Sequence, residues 1–492
     1  MHTWQTLRTP LGVTLISIAL VTLWRLLVLA TSPMGLYGDE AQYWTWAQQL
    51  DWGYYSKPPL IAWQIWLTTA FCGDTPSCVR LASPFLHATT AGLLALIASR
   101  LFSPRAGLYA ALVYLLMPGV SLSSVVATTD APMLLFWTLA LYAFIRALDS
   151  THIGWWLAAG AAAGLGMLSK YNAVFFAVSA FLFLLLSPAH RPILRQPGPW
   201  LAAGTGALVY LPNLLWNWAH DFPSYRHTGE ISGVGDGLTL SLDGLGKFFI
   251  DQLGVFGPIA FPLLLLLLLQ PRLLRSTKGW QLAWAMTLPW LLVVIAISSQ
   301  WRTHANWSAP AYIGGALLVG AWLAMVPRRW LFAALLASHL LLATGIYHYD
   351  RITNTLGIEL TSRSDPFKQV RNWESFGKAL RDELDRHPTR ALVTDDRMFT
   401  AQILYQLRER PHEVVRWNAE GRHHDYYTMT TSMEGREGDD LFLLLPAPSH
   451  GRARLMAPYF DHLERIAEIR VPIHTDLGRD YDLWLARGFR GY

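Results

Sequence analysis

The 492-residue chain has few charged residues and almost no cysteine. Asp, Glu, Lys and Arg make up 15% of it and hydrophobic residues 52%, whereas a soluble protein carries about 25% charged residues. This composition argues against a soluble multidomain protein. The only cysteines, Cys72 and Cys78, do not form a metal-binding framework. They are compatible either with a disulfide in an oxidising compartment or with two small free thiols.

The chain is rich in long apolar runs. Eleven windows approach the roughly 20 residues that a membrane-spanning helix needs. They lie at 11–31, 79–101, 107–126, 131–148, 154–168, 173–187, 201–216, 248–269, 280–298, 309–326 and 330–347. We therefore expect a polytopic α-helical membrane protein with about 11 transmembrane helices.

The basic residues between these windows predict an orientation. Lys and Arg in short loops stay on the cytoplasmic side, and with the N-terminus inside, Arg100, Arg105 and their counterparts in alternate loops all fall there. Most acidic residues, including Asp39 and Asp130, then fall outside. The pattern predicts an N-in/C-out membrane protein. The formal net charge of +5 follows from these loops and fits attraction to lipid headgroups, not to nucleic acid.

The composition changes near residue 350, where apolar runs shorten and charge becomes frequent. We expect a transmembrane domain over 1–350 and a small soluble α/β domain over 351–492 on the outer side of the membrane. Helical patterns at 371–386, 399–408 and 452–469 alternate there with strand-like runs at 391–393, 413–417 and 441–445. Within the first domain, the external loops 32–59 and 217–247 are the candidates for catalysis.

The candidate functional residues are polar side chains in the predicted external loops. Asp39 and Glu40 follow the first span, and Lys57 precedes two prolines that stiffen the chain. Asp130 begins the fourth span, where a carboxylate near hydrocarbon is costly and is therefore a functional candidate. Because these loops share one membrane surface, we expect them to form one cavity. The remaining polar residues of the set are Lys170, Tyr171, Arg226, His227, Arg302, His304 and Asn306.

Such a set suits the transfer of a sugar from a lipid phosphate. Cations can neutralise the departing phosphate, and a carboxylate can accept a proton or stabilise developing positive charge on the sugar. Each residue type also has a structural interpretation. The acids can cap helices, the lysines can extend to lipid headgroups, and the aromatic residues of loop 32–59, including Tyr43 and Tyr55, either stack on sugar or belong to the aromatic belt of the membrane interface.

Five stretches of the chain together resemble the GT-C type glycosyltransferases that use polyprenyl-phosphate sugars. They are most similar to the bacterial aminoarabinose-transferase-like and protein-mannosyltransferase-like members, glycosyltransferase families 39 and 83. The stretches are 39–63, 129–137, 164–171, 212–225 and 304–312. The resemblance implies a membrane glycosyltransferase that moves a sugar from undecaprenyl phosphate, with inversion, to an envelope acceptor such as lipid A or lipopolysaccharide on the periplasmic face.

The resemblance also implies roles for residues. Asp39, with Glu40 beside it, and Asp130 match the family's catalytic acids, and Lys57 matches a lysine that contacts the donor phosphate. The counterparts of residues that assist it are the cations Arg226, His227, Arg302 and His304 of the later loops. Lys170 is a further candidate for binding the donor phosphate. Ser56 stands where aminoarabinose transferases carry an acid. Because of that departure, the resemblance does not identify the sugar. It also leaves open whether a divalent metal ion takes part.

Three other functions remain open at this point. One is protein O-mannosyl transfer; another is transport of lipid-linked sugars, for which we find no inverted repeat. The third is a structural assembly factor. The acids gather at one predicted surface, which favours an enzyme. Its expected partners are a polyprenyl-phosphate sugar donor, a lipid or glycan acceptor and membrane lipids.

Overall fold

The structure is a computed structural model that describes residues 9–232, 241–274, 276–301, 303–388 and 390–492. The chain divides into two compact units. The first comprises the chain up to Thr31, Lys57–Gln64 and Arg80–Tyr349; the second comprises Ser32–Ser56, Ile65–Val79 and Asp350–Tyr492. Most of the predicted external loop 32–59 therefore groups with the C-terminal residues.

The first unit is α-helical. Its helices are Pro10–Thr31, Ala82–Leu101, Pro104–Leu116, Pro118–Ser123, Asp130–Leu148, Gly154–Ser169, Phe175–Leu186, Pro197–Ala219, Pro223–Ser232, Leu242–Val255, Ala260–Leu268, Pro271–Leu274, Lys278–Ala285, Leu288–Ser298, Ala311–Met325 and Arg329–Tyr347, with 3₁₀ turns at Tyr171–Val174, Arg191–Arg195 and Ala305–Ser308. The helix Leu60–Cys72 begins in this unit and ends in the second. Each predicted apolar window contains a helix.

Among the described residues, five helices are long and apolar enough to cross a membrane, and a sixth span forms if the bent pair Leu242–Val255 and Ala260–Leu268 counts as one. The chain is thus a helical membrane protein. The helices pack around a core of buried Trp137, Phe144 and Tyr312. Several predicted spans are broken by proline; one break lies between Leu116 and Pro118, because proline has no N–H to continue the helix.

The second unit is built on a five-stranded mixed sheet. Its strands are β1 (Leu392–Thr394), β2 (Val414–Arg416), β3 (Leu441–Pro446), β4 (Phe460–His474) and β5 (Leu477–Phe489), in the order β2-β1-β3-β5-β4. β1 is parallel to β2 and β3, whereas β5 is antiparallel to β3 and β4. The helices of this part of the chain are Gly38–Ala47, Pro76–Arg80, Tyr349–Thr355, Trp373–Leu384, Arg397–Gln406, Tyr426–Thr430 and His450–Met456, with 3₁₀ turns at Lys368–Val370 and Ala457–Tyr459.

The helical prediction for 452–469 is wrong beyond Met456. The chain there enters β4 at Phe460 and pairs along its length with β5. Leu463, Ile466 and Ala467 have helical spacing, but the ladder to β5 decides the conformation, since strand propensity depends on cross-strand partners. The three strand-like runs do form β1, β2 and β3.

Cys72 and Cys78 form a disulfide, so the alternative of two free thiols is wrong. The bond closes a short loop that contains Asp74 in the second unit.

Candidate functional site

Three of the candidate residues meet in the first unit. The ammonium of Lys170 lies 2.7 Å from Oδ1 of Asp130, and the amide of Asn306 donates a hydrogen bond of 2.6 Å to Oδ2 of the same carboxylate. These residues are 40 and 176 positions from Asp130 in sequence. The structure thus joins three loops at one carboxylate, and we call this group the Asp130 cluster.

The backbone explains how each member reaches the cluster. Asp130 is the first residue of its helix, and Lys170 follows the last residue of the helix Gly154–Ser169 with an extended backbone (φ −159°, ψ 132°). Asn306 lies in the 3₁₀ turn Ala305–Ser308. All three are at helix ends, where side chains can leave the helix packing and converge.

Two buried side chains hold the turn that carries Asn306. Gln252 donates to the carbonyl of Ala305 at 3.3 Å and accepts a hydrogen bond of 2.6 Å from the hydroxyl of Tyr312. On the other side of Asn306, the indole of Trp290 donates to the carbonyl of Trp307 at 2.7 Å. Both neighbours of Asn306 are therefore anchored. Sequence reasoning missed Gln252, whose signal is its place beside Asp251 inside the apolar window 248–269.

The Asp130–Lys170 pair is largely buried, with side-chain exposures of 6% and 14%. The Lys170 side chain therefore does not extend to lipid headgroups. The Asp130 carboxylate, a candidate helix cap, instead accepts hydrogen bonds from Lys170 and Asn306. Burying two charges costs free energy, which close pairing and further hydrogen bonds offset. Asn306 is itself exposed, so the cluster reaches the surface of the unit at that residue.

A tyrosine cluster begins one residue after Lys170. Tyr171 stacks on Tyr225, with ring centroids 5.2 Å apart, and accepts a weak hydrogen bond of 3.5 Å from the amide of Asn217. The hydroxyls of Tyr210 and Tyr225 are 2.5 Å apart. Through Tyr225, the stack connects Tyr171 to the short helix Pro223–Ser232 in the predicted external loop 217–247.

The remaining cations of the first unit do not all join the Asp130 cluster. Arg226 is exposed and His227 half-buried on the helix Pro223–Ser232. His304 is exposed two residues before Asn306, with its ring 5.8 Å from that of Trp307. Lys57 is half-buried just before the helix Leu60–Cys72. Arg302 lies outside the described residues.

Asp39 and Glu40 belong to the second unit, in the first turn of the helix Gly38–Ala47, which we call the Asp39 helix. Their environments differ. Glu40 is fully buried and its carboxylate accepts a hydrogen bond of 2.9 Å from the N–H of Tyr37, which is the capping interaction. Asp39 is exposed. Of the two carboxylates, Asp39 is the one that can meet a substrate.

Packing accounts for the candidate aromatic residues of the first loop. Tyr43 and Tyr55 are each only 6% exposed. The Tyr43 ring lies 5.2 Å from that of Trp46, and the Tyr55 hydroxyl donates to the carbonyl of His423 at 3.2 Å. Both side chains are therefore mostly enclosed by packing within the second unit.

Among the described residues, no group of three or more His, Cys, Asp or Glu side chains is arranged to hold a metal ion.

Comparison with known proteins gives relatives along most of the chain. Residues 56–216 match the family described as dolichyl-phosphate-mannose-protein mannosyltransferase. The lipid A galacturonosyltransferase RgtD of Rhizobium johnstonii is 33% identical over 413 residues, which are 82% of this chain and 85% of the relative. The lipopolysaccharide core galacturonosyltransferase RgtA of the same organism is 30% identical over 189 residues, 37% of each chain.

A solved structure shares the fold. The ArnT protein of Cupriavidus metallidurans, crystallised with undecaprenyl phosphate, superposes with a TM-score of 0.66 at 16% identity and covers 96% of this chain and 97% of its own. The helical first unit and the C-terminal sheet thus follow the GT-C architecture, as the sequence motifs imply. On the identity and coverage shared with RgtD, the chain belongs to the family of membrane glycosyltransferases that contains the lipid A galacturonosyltransferase RgtD.

Proposed function

We propose that this glycosyltransferase moves a galacturonosyl residue from a polyprenyl phosphate to lipid A or to the lipopolysaccharide core. The observation that carries the proposal is the 33% identity to a lipid A galacturonosyltransferase over 82% of the chain. The undecaprenyl phosphate bound by the ArnT protein supports a lipid-phosphate donor.

We further propose that the protein lies in the bacterial inner membrane, crosses it about 11 times with the N-terminus inside, and acts on the periplasmic face. The helices within all eleven apolar windows and the alternation of basic loops support this topology. Reporter fusions test it: a reporter active only in the periplasm should be active after Tyr347 and inactive after Arg105. The reverse result would contradict the proposed orientation.

In the proposed reaction, an acceptor oxygen attacks the anomeric carbon while the bond from that carbon to the phosphate oxygen breaks. The polyprenyl phosphate leaves with the bonding electrons, and the configuration inverts. Asp39 orients the acceptor hydroxyl and takes its proton; if the acceptor is a phosphate group, which is already ionised, Asp39 only orients it. We also propose the domain organisation that the sequence predicts. The transmembrane part carries the catalytic loops 32–59 and 217–247, and residues 351–492 form a periplasmic domain.

Cations are needed where negative charge develops on the departing phosphate. We assign this role to Lys57 and Lys170, with Arg226, His227, Arg302 and His304 assisting. We assign to Asp130 the support of the donor sugar or of the acceptor. Its hydrogen bonds with Lys170 and Asn306 support a second role, in which Asp130 fixes the direction of the Lys170 ammonium. A salt-bridged lysine retains hydrogen-bonding capacity, because its ammonium has three N–H donors.

Mass spectrometry of lipid A and core oligosaccharide tests the function. Cells that lack the gene should lose one hexuronic acid residue from one of these molecules, and expression of the wild-type protein should restore it. Expression of Asp130→Asn at the same level should not. Loss of a sugar from envelope proteins, with lipid A and core unchanged, would instead indicate protein O-glycosylation.

A further inference from the structure

The turn that leads into the Asp39 helix is tied to the C-terminal part of the second unit. Gln402, 1% exposed, donates a hydrogen bond of 2.6 Å to the carbonyl of Leu36, which is fully buried. One residue earlier, the N–H of Gly35 donates to the carbonyl of Val370 at 3.0 Å. Two consecutive residues just before Asp39 are thus held by residues more than 300 positions away.

The first residue of the Asp39 helix lies directly against the helix Arg397–Gln406, which we call the Gln402 helix. A Cβ atom on Gly38 would be 2.9 Å from the Cβ of Met398 and 3.0 Å from its sulfur. Real Cβ atoms do not approach other atoms so closely. Glycine at this position is therefore explained by the close approach of the two helices.

The later part of the Asp39 helix is held as well. The indole of Trp44 donates to Oδ1 of Asp74 at 2.7 Å, and the hydroxyl of Tyr405 donates to the backbone carbonyl of Asp74 at 2.6 Å. Asp74 lies within the loop closed by the Cys72–Cys78 disulfide. A single residue of the disulfide loop therefore joins the Asp39 helix to the Gln402 helix.

We propose that the Gln402 helix is a positioning element for sugar transfer. Gln402 and Met398 fix the turn before Asp39, and through it the direction in which the Asp39 carboxylate points. They are positioning residues, because they act through Asp39. This inference rests on the proposed function of Asp39. It gives the C-terminal domain a part in the reaction that its distance in sequence from the predicted loops does not suggest.

The physical reason is the sensitivity of catalysis to position. Asp39 is exposed, so its placement depends on the backbone that carries it. A displacement of a reacting group by about 1 Å costs on the order of 100-fold in rate. Loosening the Leu36 turn should therefore lower kcat by about 10- to 100-fold and change KM for donor and acceptor little.

The chain offers a matched control on the same helix. Gln406 is also a buried glutamine, but its side chain packs against Gly377 of the helix Trp373–Leu384. Full-length Gln402→Met and Gln406→Met should be compared with wild type, using polyprenyl-phosphate-linked galacturonic acid as donor and lipid A as acceptor. We expect the kcat loss in Gln402→Met alone, at similar thermal stability of the two variants.

A steric exchange across the same contact provides the second variant set. Gly38→Ala places a methyl group against Met398 and should lower kcat, although alanine is otherwise the better helix residue. Met398→Gly removes the opposing side chain. The double variant Gly38→Ala/Met398→Gly should recover a large part of the lost kcat, because removal of the Met398 side chain makes room for the added methyl group. If the two losses of kcat instead added in the double variant, the steric fit between Gly38 and Met398 would not control kcat.

The outcomes separate this inference from the function on which it rests. If wild type transfers no sugar from this donor, the proposed function fails. If wild type is active and Asp39→Asn is inactive, but Gln402→Met equals Gln406→Met in kcat and the steric exchange gives no recovery, the positioning role alone is wrong. Loss of kcat in Gln402→Met with recovery in the steric exchange supports it.

Discussion

At the scale of single residues, we expect the buried Asp130–Lys170 pair to affect both stability and the proposed activity. Removal of one partner from a buried pair leaves an uncompensated charge and costs about 3–5 kcal/mol. Asp130→Asn and Lys170→Met should therefore each lower the thermal unfolding temperature of the purified protein. The double variant should be more stable than either single variant, because no unpaired charge remains, and all three should lack transferase activity.

The exposed pair Lys247–Asp251 is the control for this cycle. Its lysine is 54% exposed, and exposed pairs contribute about 0–1 kcal/mol. Lys247→Met should leave the unfolding temperature nearly unchanged. Equal stability of Asp130→Asn and wild type would contradict the buried-pair interpretation.

Asn306 tests whether the amide in the Asp130 cluster matters as a hydrogen-bond donor. Asn306→Ala removes the 2.6 Å bond to Asp130 and should lower kcat by about 10-fold, as expected for a loss of about 1.4 kcal/mol. Asn306→Asp has nearly the same shape but faces one carboxylate with another. Its kcat should therefore be lower than that of Asn306→Ala in the same transfer assay; the opposite order would show that charge at this position is unimportant.

At the scale of elements, helix ends determine where polar groups can lie within the bilayer. The break between the helices Pro104–Leu116 and Pro118–Ser123 leaves carbonyls without helical N–H partners. Buried Arg25 donates to the carbonyl of Leu115, and its Nε donates to the hydroxyl of Tyr347 at 3.0 Å. That hydroxyl donates in turn to the carbonyl of Ser121 at 2.8 Å. Buried Arg25 and the Tyr347 hydroxyl therefore satisfy carbonyls of the two short helices.

Tyr347→Phe should lower the free energy of unfolding by about 1–3 kcal/mol, because it leaves a buried carbonyl and one guanidinium N–H without their partner. Tyr142→Phe is the matched control, since Arg146 also stacks over Trp155 at 4.4 Å and keeps that partner. The free energies of unfolding of both variants, measured by denaturation in the same detergent, are to be compared with that of wild type. Equal losses would contradict the helix-completion role of Tyr347.

The segment after the last long helix is held by a charge cluster in the second unit. Arg371 pairs with Asp350 and Asp365, and His474 lies 2.8 Å from Asp365. Burial acts to raise the pKa of Asp365, but hydrogen bonds from Arg371, from the Phe367 N–H and from His474 hold it below its usual value. The stability that this carboxylate contributes is therefore present above its unfolded pKa of about 4 and is lost as pH falls through the lower folded pKa.

Asp365→Asn should lower the unfolding temperature at neutral pH and reduce its decline below about pH 4. Asp461 is the control, because its pair with Arg490 is exposed on both sides and Asp461→Asn should have a small effect. Thermal unfolding temperatures of full-length wild type and of the two variants, measured across this pH range, test both expectations. Identical acid profiles for wild type and Asp365→Asn would contradict the assignment.

At the scale of the whole molecule, local patterns predicted the helices, three of the five strands and the family. Apolar periodicity places each membrane helix because the bilayer demands long apolar runs. The sequence also suggested that Asp130, Lys170 and Asn306 share a surface. The specific partners could not be read from it, because hydrogen bonds between residues 40 and 176 positions apart depend on tertiary packing.

The same limit explains why sequence reasoning missed the grouping of Ser32–Ser56 with Asp350–Tyr492, which depends on contacts between segments far apart in sequence. The β4–β5 ladder joins neighbouring segments, and it was missed because Leu463, Ile466 and Ala467 have helical spacing. The sequence left the pairing of Cys72 and Cys78 open, because two cysteines 6 residues apart suit a disulfide and free thiols alike. Tyr43 and Tyr55 were candidates for sugar stacking because aromatic rings occur both in sugar sites and in packed cores, which composition does not distinguish. The transporter and assembly-factor alternatives are excluded by membership in a glycosyltransferase family.

The most direct test of the central claim is sugar transfer by the purified full-length protein. With labelled polyprenyl-phosphate galacturonic acid and lipid A, wild type should move label to lipid A, while Asp39→Asn and Asp130→Asn, inserted and folded, should fall by at least about 100-fold. Retention of near wild-type transfer by Asp130→Asn would contradict the account.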